Sequence, residues 1–419
     1  MISIMQNMSD GTDKGRLKVS LVDEENRPIR NARIVVTVTG QPENVIEEAV
    51  TNADGQTEDI ELATPPIEYS LEADNIIQPY AEYSIDIQAE GYEPVDVSGI
   101  QVLSDTEALQ DVRLQRVERD RSGENIAILP HTLYYEYPPK IPEPEITPVD
   151  ESGEIVLSRV VIPEYVVVHD GVPSDSTAKD YYIPYSDYIK NVASSEIYPT
   201  WEPEAIKANV LAIMSFTLNR VYTEFYRNKG YDFTITSSTA YDHKFIYGRN
   251  IFDSISVIVD ELFSMYLSRP NVRQPILTQY CDGRKVSCPN WMTQWGSQNL
   301  ATQGYSAIQI LRNFYGDSIY INEAEQISGI PSSWPGFNLE VGSRGNKVRQ
   351  VQEQLATISG AYSSIPYISA DGVYGDRTME AVRIFQKIFD LPQTGIIDFA
   401  TWYKISQIYV GVTRIAELR

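Results

Sequence analysis

Val341-Gly342-Ser343-Arg344-Gly345-Asn346-Lys347-Val348 opens the stretch that decides the fold of the C-terminal region. After the two glycines, Val348, Val351, Leu355 and Ile358 fall at helical spacing on one face. Val382, Phe385 and Phe389 repeat that spacing, and Asp371-Gly372-Val373-Tyr374-Gly375 between the two runs reads as a turn. There is a short internal echo: Gly372 precedes Thr378 by six residues, and Gly395 precedes Thr401 by six. Each glycine permits a tight turn, and each threonine is predicted to cap the helix that follows. Residues 338–410 therefore read as a compact, all-helical module.

Upstream, residues 151–330 contain a long helix candidate. Pro203 suits a first helical turn, Glu202 and Glu204 complement its positive end, and Ile206, Val210 and Ile213 make one apolar face. Residues 119–150 carry Pro130, Pro138, Pro139, Pro142, Pro144 and Pro148, each lacking a backbone donor and disfavouring helix just before it. They read as an extended linker, either a plain spacer or a protease target. In residues 1–118, Leu17, Val19 and Leu21 alternate with Arg16, Lys18 and Ser20; Ile34, Val36 and Val38 and then Tyr83, Ile85 and Ile87 repeat the pattern around the turn Asn52-Ala53-Asp54-Gly55. That is a small β-sandwich. The expected fold class is multidomain α+β: an N-terminal β-sandwich, a central mixed α+β domain and a small helical C-terminal domain.

The 419 residues, 42% hydrophobic and 22% charged, have an ordinary globular composition. No apolar run approaches the ~18 residues that span a bilayer, and Met1–Gly15 is polar, so neither a membrane span nor a conventional signal peptide is expected. The net charge of −24 is concentrated in front, where residues 1–150 hold 30 Asp and Glu against 11 Lys and Arg. Such a surface repels phosphate backbones and argues against a nucleic-acid partner. Cys281 and Cys288 have six residues between them, too many for a Cys-x-x-Cys zinc site, and the chain has only His131, His169 and His243. A local disulfide or two buried thiols is expected rather than a metal, and no cofactor is expected.

Two clusters in the central region carry candidate chemistry. Glu196 stands in Ala193-Ser194-Ser195-Glu196-Ile197-Tyr198, just ahead of the long helix. By the residues alone it reads first as a capping or surface group. In apolar and aromatic surroundings it would instead be a carboxyl raised toward neutrality, as a glycosidic general acid requires. Trp291-Met292-Thr293-Gln294-Trp295-Gly296-Ser297-Gln298 is either a core tryptophan pair beside a turn or a sugar platform, with rings for stacking and amides and hydroxyls for sugar oxygens.

These clusters are similar to the SpoIID-like lytic transglycosylases, through Tyr188-Ile189, Glu196, Trp201, Glu204-Ala205-Ile206-Lys207-Ala208 and Thr293-Gln294-Trp295-Gly296-Ser297, continuing through Gly304-Tyr305, Ile310-Leu311 and Phe314-Tyr315-Gly316. The resemblance implies Glu196 as the catalytic acid and base, with Gln294, Trp295, Tyr280, Ser297 and Asp282 as substrate contacts. There are two departures: Ser297 replaces an alanine, and Met214-Ser215-Phe216 replaces an Ala-Arg-Thr run, so no role of that arginine carries over. The string from Val341 to Trp402 resembles the peptidoglycan-binding type 1 domain, which implies docking on cell-wall glycan or stem peptide. The front module loosely resembles carboxypeptidase-regulatory-like sandwiches.

In its three-part order, with Tyr134–Pro139, Asn191–Thr200, Thr236–His243 and Gln279–Gly296, the chain resembles the clostridial spore cortex-lytic enzymes along nearly its whole length. This implies a spore-stored proenzyme, activated when a subtilisin-like protease cuts somewhere in residues 140–160, and acting on cortex peptidoglycan. The rivals are a muramidase using Asp232, Asp242 or Asp282 as second carboxylate, a zinc amidase, and a non-catalytic wall-binding spore protein.

Overall fold

The computed structural model describes residues 13–118, 123–146, 159–324, 326–328 and 334–413. It is a multidomain α+β protein with mixed sheets and a helical C-terminal region. The front module comprises β1 (Asp13–Val22), β2 (Arg33–Val38), β3 (Gln41–Val50), β4 (Ile60–Thr64), the single turn α1 (Glu68–Leu71), β5 (Ala81–Gln88), β6 (Val95–Val102) and β7 (Glu107–Arg113). The period-2 pattern turns Leu17, Val19 and Leu21 inward, where they are fully buried with Ile34, Val36 and Ile87. One sheet runs β4-β1-β7, with β1 parallel to β7, and the other runs β3-β2-β5-β6 with antiparallel neighbours.

Each sheet takes a further strand from outside the module. β8 (Glu124–Ala127), in the segment read as linker, lies parallel to β6, and Ile251–Phe252 of the central domain pair antiparallel with β7. After β8 the proline-rich run to residue 146 has no regular structure, but it is not loose. Ile141 N–H donates to the Ala240 carbonyl at 2.7 Å, Gln279 Nε2 donates to the Ile141 carbonyl at 2.7 Å, and Leu277 N–H donates to the Glu145 carbonyl at 2.8 Å. The run is a strap laid along the central domain. Residues 147–158, most of the region expected to hold the activation cut, lie outside the described residues.

The central domain continues with β9 (Val161–Ile162), β10 (Tyr165–His169), β11 (Asp180–Pro184), α2 (Tyr185–Glu196), α3 (Pro203–Tyr222), β12 (Ile235–Thr236), β13 (Ile251–Phe252) and α4 (Asp253–Leu262). Next come β14 (Met265–Ser268), β15 (Tyr280–Cys281), β16 (Met292–Thr293), α5 (Gln294–Thr302), α6 (Ala307–Tyr315), β17 (Tyr320–Glu323) and β18 (Gln326–Ile327). Pro203 opens α3 as its missing N–H predicts. The single apolar face expected for α3 is too narrow, since every side chain from Ala208 to Arg220 is buried. The reason is that α2, α4, α5 and α6 all pack on it, so this helix is the axis of the domain.

α7 (Asn346–Ile358), α8 (Asp376–Ile388) and α9 (Phe399–Thr413) form the C-terminal domain around Val348, Val351, Leu355, Val382, Phe385 and Trp402. The echo is real, but the threonines are not caps. Gly375 stands at the α8 cap position without a side-chain bond, and Thr378 lies three residues inside. Gln352 Nε2 donates to Thr378 Oγ1 at 3.1 Å and Gln352 Oε1 accepts Gly372 N–H at 2.8 Å; Gln386 does the same with Thr401 Oγ1 at 3.1 Å and Gly395 N–H at 2.8 Å. Gly372 and Gly395 need their glycines, with φ of 78° and 68°.

This domain leans on both others. Lys18 Nζ meets Asp390 at 2.6 Å, Gln56 Nε2 donates to the Ile388 carbonyl at 2.8 Å, and the Phe263 ring lies 4.6 Å from that of Tyr403. Among the described residues no helix is long and apolar enough to cross a membrane.

Candidate active site

Glu196 is the last residue of α2, and Ile197 turns the chain out of the helix with extended backbone. It is neither a cap nor a surface group: it is 3% exposed. Its Oε1 accepts Lys244 N–H at 2.6 Å and its Oε2 accepts the Tyr280 hydroxyl. Gln294 Nε2, at the start of α5, donates to the Glu196 carbonyl at 3.0 Å, fixing the helix end from below. β15 runs parallel to β16, which holds Tyr280 beside the Gln294–Ser297 turn, and a Cys281–Cys288 disulfide closes the loop between those strands.

Burial pushes the Glu196 carboxyl above its ordinary range, while Lys140, the Lys244 N–H and Tyr280 pull it back. Burial likewise drives the Tyr280 phenol well up, with Glu196 adding to it. His243 stacks on Tyr280 at 5.9 Å, and its Nδ1 lies 3.1 Å from the Tyr188 hydroxyl. Burial holds His243 well below the usual imidazole value, so it is neutral, and among the described residues its buried Nε2 has no hydrogen-bond partner.

Beside this lies a second polar cluster. Asp242, fully buried, accepts Arg220 Nε at 2.8 Å, the Tyr226 hydroxyl at 2.6 Å, and Thr236 N–H and Oγ1 at 2.9 and 2.8 Å. Both of its oxygens are engaged, Oδ1 by Arg220 and Oδ2 by Tyr226 and Thr236. Asp282 is similarly spent on the backbone N–H groups of Lys285 and Val286, at 2.8 and 2.9 Å, and Asp232 is exposed.

The remaining sequence candidates divide. Tyr280 and Gln294 touch Glu196 itself. Trp295 is half-buried, 4.9 Å from the Trp201 ring. Ser297 is fully buried, bonded to Asn209 Nδ2 at 2.7 Å and to the Gln294 carbonyl at 2.6 Å, so its hydroxyl ties α5 to α3. Lys244, His243, Arg220 and Lys140 are not among the sequence candidates. An arginine inside an apolar helix and the Asp-His-Lys run at 242–244 were the available signals. Among the described residues no group of three His, Cys, Asp or Glu is placed to hold a metal.

Two family models match. Residues 175–251 match the Stage II sporulation protein model, SpoIID, and residues 344–405 match the putative peptidoglycan binding domain. The chain carries a SpoIID segment and a peptidoglycan-binding domain. The SpoIID segment contains Glu196, Arg220, Asp242, His243 and Lys244; Tyr280 and Gln294 lie beyond it. No curated protein matches. Solved structures with likeness include the SleB N-terminal domain, at 26% identity over 18% of this chain and 99% of that one, with a TM-score of 0.16. The TIE protein of Bacillus anthracis has 20% identity over 25% of this chain and 17% of that one, TM-score 0.17. Catechol 1,2-dioxygenase of Acinetobacter sp. ADP1 has 13% identity over 28% and 60%, TM-score 0.19. The two family matches support a cell wall-acting spore protein.

Proposed function

We propose that the chain is a lytic transglycosylase of spore cortex peptidoglycan, stored in the spore as a proenzyme and activated during germination by a subtilisin-like protease. The observation that carries this reading is the buried carboxyl of Glu196, raised by burial and held by Lys244 N–H and Tyr280, beside an Asp242 bonded to Arg220 and an Asp282 bonded to its own loop. A glycosidase with one such group needs an internal nucleophile. Glu196 protonates the oxygen leaving N-acetylmuramic acid, then as carboxylate takes the proton of that sugar's C6 hydroxyl, which attacks C1 and closes a 1,6-anhydro ring. A muramidase would need a second carboxylate, ~5–5.5 Å away for retention or ~6.5–9.5 Å for inversion. Asp242 is locked to Arg220 and Asp282 to its own loop, which disfavours both as that group.

The C-terminal domain would hold the enzyme on the wall while the central domain cuts. Glu196→Gln keeps the shape and removes the proton. The expected outcome is loss of fragment release from cortex by about 10²–10⁴-fold, with wall binding unchanged. Activity that survives the substitution would sink the assignment, and a wild-type chain that binds wall and never releases fragments would support the binding-protein rival.

A further inference from the structure

Residues 137–146 lie against the central domain beside Glu196, and they bring charge to it. The Lys140 ammonium sits 5.1 Å from the ring centroids of both Phe216 and Tyr280 and donates to the Asp242 carbonyl. A few residues on, two carboxylates each meet a guanidinium with two prongs. Arg220 Nη1 and Nη2 donate to Glu143 at 2.9 and 2.6 Å, and Arg269 Nε and Nη2 donate to Glu145 at 2.7 Å each. Paired N–H···O bonds of this kind are the recognition geometry of arginine for a carboxylate.

Neither arginine belongs to the strap, and each has its own support. Arg220 projects from α3 with its Nε held by Asp242 at 2.8 Å. Arg269, just after β14, donates to Ser318 Oγ at 2.7 Å and to the Tyr315 carbonyl at 2.6 Å. With the strap displaced these supports stay, so both guanidinium groups keep their aim and lose only their carboxylates. The strap's backbone is held as a bound peptide is: Glu143 N–H donates to Gln279 Oε1 at 2.8 Å, beside the Ile141 and Glu145 bonds. The surface under the strap carries aromatic rings beside Glu196 and two guanidinium groups further along.

We propose that Arg220 and Arg269 form a carboxylate-binding site for the acidic stem peptides of peptidoglycan, occupied here by Glu143 and Glu145 while Lys140 blocks Glu196. The choice of ligand rests on the reading of Glu196 as the glycan-cleaving group. The strap is then an occupant of the substrate site as well as a tether. Its departure also withdraws Lys140, the leading charge that opposes the upward push of burial on Glu196.

The test uses the full chain and two soluble disaccharide-peptides, one with free stem-peptide carboxylates and one with them amidated. In Lys140→Ala/Glu143→Gln/Glu145→Gln, amide exchange at Ile141 and Glu143 should accelerate. Affinity for the free-carboxylate probe should rise about tenfold over wild type by calorimetry, with no rise for the amidated probe. Adding Arg269→Gln should cancel the gain. Glu145→Gln alone, at a partly exposed side chain, should move both readings the same way by a smaller factor and guards against a triple variant that fails to fold. Unchanged strap exchange, or a gain equal for both probes, overturns the proposal. A carboxylate-dependent gain without any glycan cleavage would leave this site standing and sink the catalytic reading instead.

Discussion

The glutamines of the C-terminal domain and the glutamate of the central domain are buried to nearly the same degree, Gln352 at 1%, Gln386 at 0% and Glu196 at 3%, yet they are held in opposite ways. Each glutamine amide has its oxygen taken by a glycine N–H and its nitrogen taken by a threonine hydroxyl and a carbonyl, with the Asp371 carboxylate as a further acceptor at Gln352, so a neutral polar group has both of its ends matched. Glu196 accepts two donors and still has burial working against its charge. Asp242, in the same site, shows the alternative: bonded to Arg220, Tyr226 and Thr236, it is quenched. A matched buried group serves the fold, and a carboxyl kept under electrostatic tension serves chemistry.

The largest effect that would break this comparison is on the matched side. Gln386→Leu strands the Gly395 N–H and the Thr401 hydroxyl in the core, and is expected to cost the C-terminal domain about 3 kcal/mol, read as a lower thermal midpoint. An unchanged midpoint would mean that the amide is ornamental.

Next comes a charge at the domain junction. Burial raises Asp390 to about 6, against the pull of Lys18. In the window from about 4 to about 6 the folded chain binds a proton that the unfolded chain has released, so stability falls as pH rises through it. Allowing for the 21% exposure of the side chain, the loss should be about 2 kcal/mol. Thermal melts between pH 4 and 7 should show that slope, and Asp390→Asn should flatten it.

The smallest effect sharpens the tension at Glu196. Tyr280→Phe removes a donor that favours the carboxylate, so the limb of the pH–rate profile set by Glu196 should move to higher pH while the maximal rate falls about tenfold. A limb that moves to lower pH would contradict the arrangement.

How much of this was readable from the chain follows from how local each signal is. The glycine–threonine spacing of the C-terminal repeat is visible in sequence, but the threonines' true partners, Gln352 and Gln386, come from the preceding helix, so a local rule assigned them to caps. The alternation in β1 places Leu17, Val19 and Leu21 correctly because a half-buried strand writes its own burial pattern. β13 is two residues long and completes a sheet begun well over a hundred residues earlier, which no periodicity records. At the site, Glu196 came from resemblance, whereas Arg220 was hidden: its carboxylate partner Glu143 lies 77 residues away in the proline-rich run. That run reads as a spacer because its prolines report only extension. What it covers is decided by the central domain.

The most direct test of the central claim is mass spectrometry of the soluble fragments that the full chain, treated with a subtilisin-like protease, releases from spore cortex. The account predicts fragments ending in 1,6-anhydro-muramic acid, absent with Glu196→Gln. Reducing muramic ends, or free stem peptides from an amidase, would contradict it.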